Sequence, residues 1–134
     1  MKLYLLYIGK PRNREANLLA EGYARRIERY CRFEMRSLKD ERAVKNYPRT
    51  AKVVLDPAGT PMGSRDLAAF LEKTGRDVAF FVGGADGFSP SFLKDADLRL
   101  SLSKMTLPHE LARVVLVEQI YRAFTILRNH PYPR

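Results

Sequence analysis

The 134-residue sequence has one cysteine, two histidines and no tryptophan. A lone Cys31 excludes an internal disulfide, and so little cysteine fits a reducing compartment, so the expected location is the cytoplasm. One cysteine and two histidines also leave too few ligands for a structural zinc site without carboxylates, so no metal is expected. No apolar run is long enough to span a bilayer. The opening "MKLYLLYI" lacks the long apolar region and small-residue cleavage site of an export signal, so no membrane partner is expected. Familiar nucleotide signatures are missing too. In "VGGADGFSP", residues 82–90, Gly83 and Gly84 are adjacent, which breaks the G-x-G-x-x-G fingerprint, and no G-K-[ST] follows to make a P-loop. Nor is there a G-x-S-x-G elbow for a serine hydrolase; Ser89, Ser101 and Ser103 read as caps or loop hydroxyls.

What is present is positive charge, unevenly placed. The net charge is +9, and residues 1–52 hold 14 Lys and Arg against 6 Asp and Glu, while residues 53–134 hold 10 against 9. An excess confined to one half of the chain is the electrostatic footprint of a nucleic-acid partner. Arg25, Arg29 and Arg32 fall at i, i+4 and i+7, which on a helix would make one basic stripe over two turns, suited to phosphates. The plainer alternative is a solvated face with Glu21 and Glu28 as salt-bridge partners.

Periodicity predicts strands at Lys2–Ile8, Phe33–Leu38, Ala51–Asp56 (closed by Pro57 and Gly59), Asp77–Val82 and Leu98–Leu102. Between them it predicts helices over 13–32, from a Ser64 cap to Gly75, and from Ser89-Pro90 onward, with a last and longest helix from Pro108 to about Asn129. Lys39–Thr50 lacks periodicity and reads as a loop. Alternating strands and helices imply an α/β fold, a mostly parallel sheet with helices on both faces. Ligands of such sheets bind outside the carboxyl ends of the strands. Three of those ends are chemically unusual: Leu55-Asp56-Pro57, Val82-Gly83-Gly84 and Leu102-Ser103-Lys104. They are the candidate pocket. The loop "SLSKMTLPHE", residues 101–110, offers backbone amides and carbonyls without strong charge, suiting an adenine edge better than a triphosphate. The apolar stripe of the last helix is wider than one core face needs, so part of it is expected at a subunit interface.

Two blocks carry a resemblance. "VGGADGFSP" and "LSLSKMTLPHELARVV", with the terminal "NHPY", resemble the RlmH family of SPOUT methyltransferases; the likeness is dense from residue 51 onward and visible again at "MKLYLLYIGK". The resemblance implies one minimal SPOUT domain over residues 1–134, with a C-terminal deep trefoil knot. It implies a homodimer that uses S-adenosylmethionine to methylate N3 of a pseudouridine in helix 69 of 23S rRNA in assembled ribosomes. Carried over by motif, cofactor contacts fall on Leu55, Gly83, Leu102, Ser103, Lys104, Met105, Thr106 and Leu107. Each pocket would be completed by the other subunit. His109, His130, Tyr132 and Arg134 are the catalytic candidates, and Arg25, Arg29 and Arg32 would track RNA. Two departures stand out: the 39–50 segment is short for the family, and Pro133 occupies a position where relatives often have histidine. Readings from other classes are a methyltransferase of tRNA and a non-catalytic RNA-binding module.

Overall fold

A computed structural model describes residues 1–132. Chain order is β1 (Lys2–Ile8), α1 (Arg14–Ile27), β2 (Arg32–Leu38), a 3-10 helix (Glu41–Asn46), β3 (Ala51–Pro61), α2 (Ser64–Thr74), β4 (Val78–Val82), α3 (Pro90–Lys94), β5 (Leu98–Ser101) and α4 (His109–Leu127). The strands form one sheet in the order β2-β1-β4-β3-β5, and every pairing is parallel.

Strand alternation assigns the two faces. Leu3 and Leu5 of β1 and Val78, Phe80 and Val82 of β4 point into the larger core, built with α1, α2 and α4. Leu6, Ala79 and Phe81 point the other way, under the 3-10 helix and α3. All five residues of β4 are buried, as a central strand covered on both faces requires. The α/β fold expected from the sequence, with helices on both faces, is therefore the fold observed. The chain leaves β4, passes β3 to form β5, and returns through residues 102–108 to α4, a path compatible with the implied knot.

Four local expectations need correction. First, α1 stops at Ile27, and the Glu28 N–H closes it onto the Ala24 carbonyl. Arg25 is therefore helical, Arg29 lies in the following turn and Arg32 opens β2; the three do not form one helical stripe. The turn is required because β2 must start level with Lys2, its partner of Arg32 across the sheet.

Second, the 39–50 loop holds a 3-10 helix, started by Asp40, whose carboxylate accepts the Arg42 N–H at 2.9 Å. Third, Gly63 rather than Ser64 caps α2, and Asp66 reaches back to the Gly63 N–H at 2.8 Å. Fourth, Pro57 and Gly59 do not end β3. Leu55 and Thr60 both face Leu100 of β5, so residues 56–59 form an excursion in a strand that continues to Pro61. Gly59 makes the rejoining possible: a Cβ there would lie 2.6 Å from the Arg99 carbonyl oxygen.

Candidate functional site

Outside the carboxyl ends of β3, β4 and β5 lies a cavity of about 590 Å³, within the usual range for a small-molecule site. Leu55, Val82, Leu100, Leu102, Leu107 and Ala112 supply apolar walls; Asp56, Ser103, Thr106 and His109 add polar groups. All three unusual strand ends converge here. Of the eight cofactor candidates, Leu55, Gly83, Leu102, Ser103, Met105, Thr106 and Leu107 line the cavity, and Lys104 does not. Lys104 and Met105 are exposed on the rim loop, which is braced by Ser103: its Oγ accepts the Met105 N–H at 2.9 Å, and its carbonyl accepts Ser101 Oγ–H at 3.1 Å.

Gly83 is tightly enclosed by its own loop. A Cβ there would lie 3.2 Å from both Gly87 Cα and Phe88 Cε2, because residues 84–88 fold back over it. The Gly87 N–H closes that turn on the Gly84 carbonyl at 3.1 Å. Ser89 caps α3 as expected, accepting the Phe92 N–H, and is itself held by Glu41 of the 3-10 helix. His109, the first residue of α4, is exposed at the mouth of the cavity. Next to it, Glu110 accepts the backbone N–H groups of Arg12 and Asn13 at 2.8 and 2.9 Å. These bonds hold its carboxyl below the usual carboxylate range.

The C-terminal candidates lie elsewhere. After α4, Asn129 takes a left-handed conformation (φ 54), which asparagine tolerates, and the chain doubles back. The His130 N–H bonds the Thr125 carbonyl at 2.9 Å. The Tyr132 ring then packs edge-on against Tyr121, 4.7 Å between centroids. Its hydroxyl donates to Glu118 Oε2 at 2.9 Å and stands 3.4 Å from the Tyr23 hydroxyl. Arg122 bonds the same carboxylate oxygen at 2.8 Å and lies over the Tyr132 ring. Burial, followed by the bonds to Tyr23 and Glu118, pushes the Tyr132 phenol well above its usual range.

Arg25, Arg26, Arg29 and Arg32 are all exposed; Arg26, not among the sequence candidates, lies over both Tyr23 and Tyr121. Arg134 lies outside the described residues. Burial pushes the Cys31 thiol up to about 11, which makes it a poor nucleophile at neutral pH. Among the described residues no cluster of His, Cys, Asp and Glu could hold a metal ion, and no helix is long and apolar enough to cross a membrane.

Tyr23, Glu118 and Arg122 were not singled out from sequence. Their pairing with Tyr132 spans up to 109 residues, and only Tyr132 belonged to a conspicuous local motif. Glu110, beside His109, carried no local signal of its backbone partners 97 and 98 positions away.

Sheet order, the excursion in β3 and the cavity at three strand ends together define a class. The chain belongs to the SPOUT methyltransferase family, whose model, described as "Predicted SPOUT methyltransferase", matches residues 1–133. Its curated relatives are more specific. The chain is 50% identical over 139 residues to "Ribosomal RNA large subunit methyltransferase H" of Solibacter usitatus, covering 100% of both chains. To the protein of the same name from Thermus thermophilus it is 42% identical over 136 residues, covering 100% of this chain and 99% of that one. The resemblance drawn from the two motif blocks is therefore borne out at full length.

Solved structures share the fold at low identity. A "probable methylase family protein" from Haemophilus influenzae Rd KW20 matches with a TM-score of 0.63 at 14% identity, over 99% of this chain and 70% of that one. The SpoU methyltransferase AviRb from Streptomyces viridochromogenes, solved in complex with the cofactor AdoMet, matches with a TM-score of 0.54 at 12% identity, over 90% and 57%.

Proposed function

We propose that this chain is an S-adenosylmethionine-dependent methyltransferase of large-subunit ribosomal RNA, acting in the cytoplasm as a homodimer with the whole chain as one catalytic domain. Its target on this reading is N3 of a pseudouridine in helix 69 of 23S rRNA in assembled ribosomes. The observation that carries the proposal is the cavity at the ends of β3, β4 and β5, lined by seven of the eight positions expected to hold the cofactor. The full-length relatives named for ribosomal RNA methylation support the substrate class.

The cavity fits the group. Aliphatic walls suit an adenine ring, the chain folded over Gly83 offers backbone polar groups, and Asp56 and Thr106 stand where hydroxyls and cationic groups could be met. When bound, S-adenosylmethionine supplies a methyl group on a sulfonium, already activated for in-line transfer. The protein's tasks are alignment, exclusion of water and handling of one proton. An imide N3 must lose that proton to attack. Tyr132 handles it as a relay: its Oη takes the N3 proton while its own O–H proton passes to Glu118 Oε2, already 2.9 Å away. A relay keeps the phenol neutral throughout, in keeping with a pKa raised by burial. His130 orients the base, Arg134 holds a phosphate or a uracil oxygen, and Arg25, Arg29 and Arg32 meet the RNA backbone.

Those tail residues serve the cavity of the other subunit. At about 1.5 Å per residue, Glu118 lies nine residues, about 14 Å, along α4 from His109 at the chain's own cavity. Leu18 and Leu19 of α1 (54% and 57% exposed) and Leu111 and Val115 of α4 (50% and 37%) offer a second copy an apolar face. That face adjoins the cavity mouth, since both helices start at the carboxyl edge of the sheet.

The deciding experiment supplies methyl-labelled cofactor with either ribosomes lacking the modification or bulk tRNA. Label in 23S rRNA at N3 of a pseudouridine is expected. Label confined to tRNA would overturn the target, and absence of cofactor binding by calorimetry would favour the non-catalytic RNA-binding module.

A further inference from the structure

Arg113 is the largest fully buried side chain among the described residues, with 1% of its surface exposed, and it takes no part in the proposed methyl transfer. It projects from α4 beneath the end of β1. Its guanidinium lies 4.2 Å from the Tyr7 ring centroid, and Nη2 donates to Asn17 Oδ1 at 2.9 Å. No carboxylate among the described residues pairs with it, and Nη1 has no protein acceptor. A buried cation in direct contact with only an amide and a ring, with the Glu110 carboxylate acting on it at longer range across the same gap, is costly, and an apolar residue of similar volume is often neutral or stabilising at such a site. Fold stability alone therefore does not account for an arginine here.

Its surroundings do. Arg113 borders a gap of about 10 Å³, roughly the room one water needs, whose other walls include Tyr7, Ile8, Gly9, Val82, Gly83 and His109. Val82, Gly83 and His109 also line the large cavity, so Arg113 stands directly behind that cavity's wall. The strand ladder stops at this level: the β1–β4 register ends at the Tyr7–Val82 pair, leaving the Gly83 backbone beyond it. Strand-end carbonyls need donors, and Nη1 is a donor in need of an acceptor.

We propose that Arg113 is a positioning residue for the cofactor cavity: its Nη1, through one buried water, fixes the strand-end backbone at Gly83 and so sets the wall against which the cofactor packs. This inference rests on reading the large cavity as the cofactor pocket. One part of its test is independent of that reading.

The variants are Arg113→Met, which keeps volume and removes the donor, and Arg113→Gln, which keeps a donor and removes the charge. Three measurements separate the outcomes: thermal unfolding, amide hydrogen exchange of the dimer without cofactor, and calorimetric titration with S-adenosylmethionine. For Arg113→Met the melting temperature should hold or rise. Exchange should quicken at least about tenfold in residues 82–88 and little in the rest of the sheet, and the cofactor Kd should rise at least about tenfold. Arg113→Gln should fall between Met and wild type in exchange and affinity. A lowered melting temperature with exchange quickened across the whole sheet would make Arg113 a structural ion and overturn the proposal, as would unchanged exchange at 82–88. If wild type bound no cofactor, the pocket reading would fail, and the exchange result would still decide whether Arg113 holds that wall.

Discussion

At the carboxyl ends of β3, β4 and β5 the cavity presents aliphatic walls and backbone, with Gly83 stripped of a side chain because its own loop folds to within 3.2 Å of where a Cβ would sit. Farther down α1 and α4, toward the opposite edge, Tyr23, Tyr30, Tyr121, Phe124 and Tyr132 form a chain of ring contacts with Arg26, Arg122 and Arg128 laid over it, and Tyr132 and Arg122 both bond Glu118. The first region suits a small ligand held by shape; the second suits flat bases, phosphates and proton handling. One chain keeps them apart by about half the length of α4. That separation is the physical reason to expect two chains per working site.

The comparison can be broken first at the cavity. Gly83→Leu should weaken S-adenosylmethionine binding at least about 100-fold, some 2.7 kcal/mol, while thermal unfolding stays cooperative. Parallel loss of fold and binding would make the glycine a folding requirement only. Next in size is the tail: Tyr132→Phe should slow single-turnover methylation on the order of 100-fold with cofactor affinity unchanged, since it removes the relay oxygen and keeps the ring. An unaltered rate would remove Tyr132 from the chemistry.

Charge reversal of Arg25, Arg29 and Arg32 is expected to weaken ribosome binding about tenfold and flatten its salt slope by about 2 to 3, leaving cofactor affinity intact. Loss of both affinities would instead report misfolding. The smallest effect concerns Glu110, whose lowered pKa stabilises the fold above the ordinary carboxylate range and loses that contribution as pH falls through the folded value. Melting curves of wild type and Glu110→Gln should therefore differ at pH 7 and converge below about pH 4. A constant gap would show that the two backbone bonds do not depend on the charge.

Much of the cavity was legible in the sequence because its parts are local: strand ends, adjacent glycines and a proline opening a helix are each visible within ten residues. The sheet's alternation and the fully apolar β4 were legible for the same reason. The arginine stripe failed because helical spacing persisted in the letters past Ile27, while the pairing of Arg32 with Lys2 forced the chain out of the helix. The β3 excursion was hidden because Pro57 and Gly59 are ordinary strand-ending residues until β5 packs against them. Glu118 and Arg113 were invisible for a deeper reason. Their meaning lies wholly in partners supplied by α1, β1 and the tail.

The most direct test of two chains per site mixes Gly83→Leu, with a ruined cavity, and Tyr132→Phe, with a ruined tail, at a cofactor level that fills only an intact cavity, so that each variant alone is nearly silent. After subunit exchange at equal amounts, half the dimers should be mixed, each holding one intact cavity facing one intact tail. Methylation should recover to about a quarter of the wild-type level. No recovery, with mixed dimers demonstrated by mass, would contradict a site shared between chains.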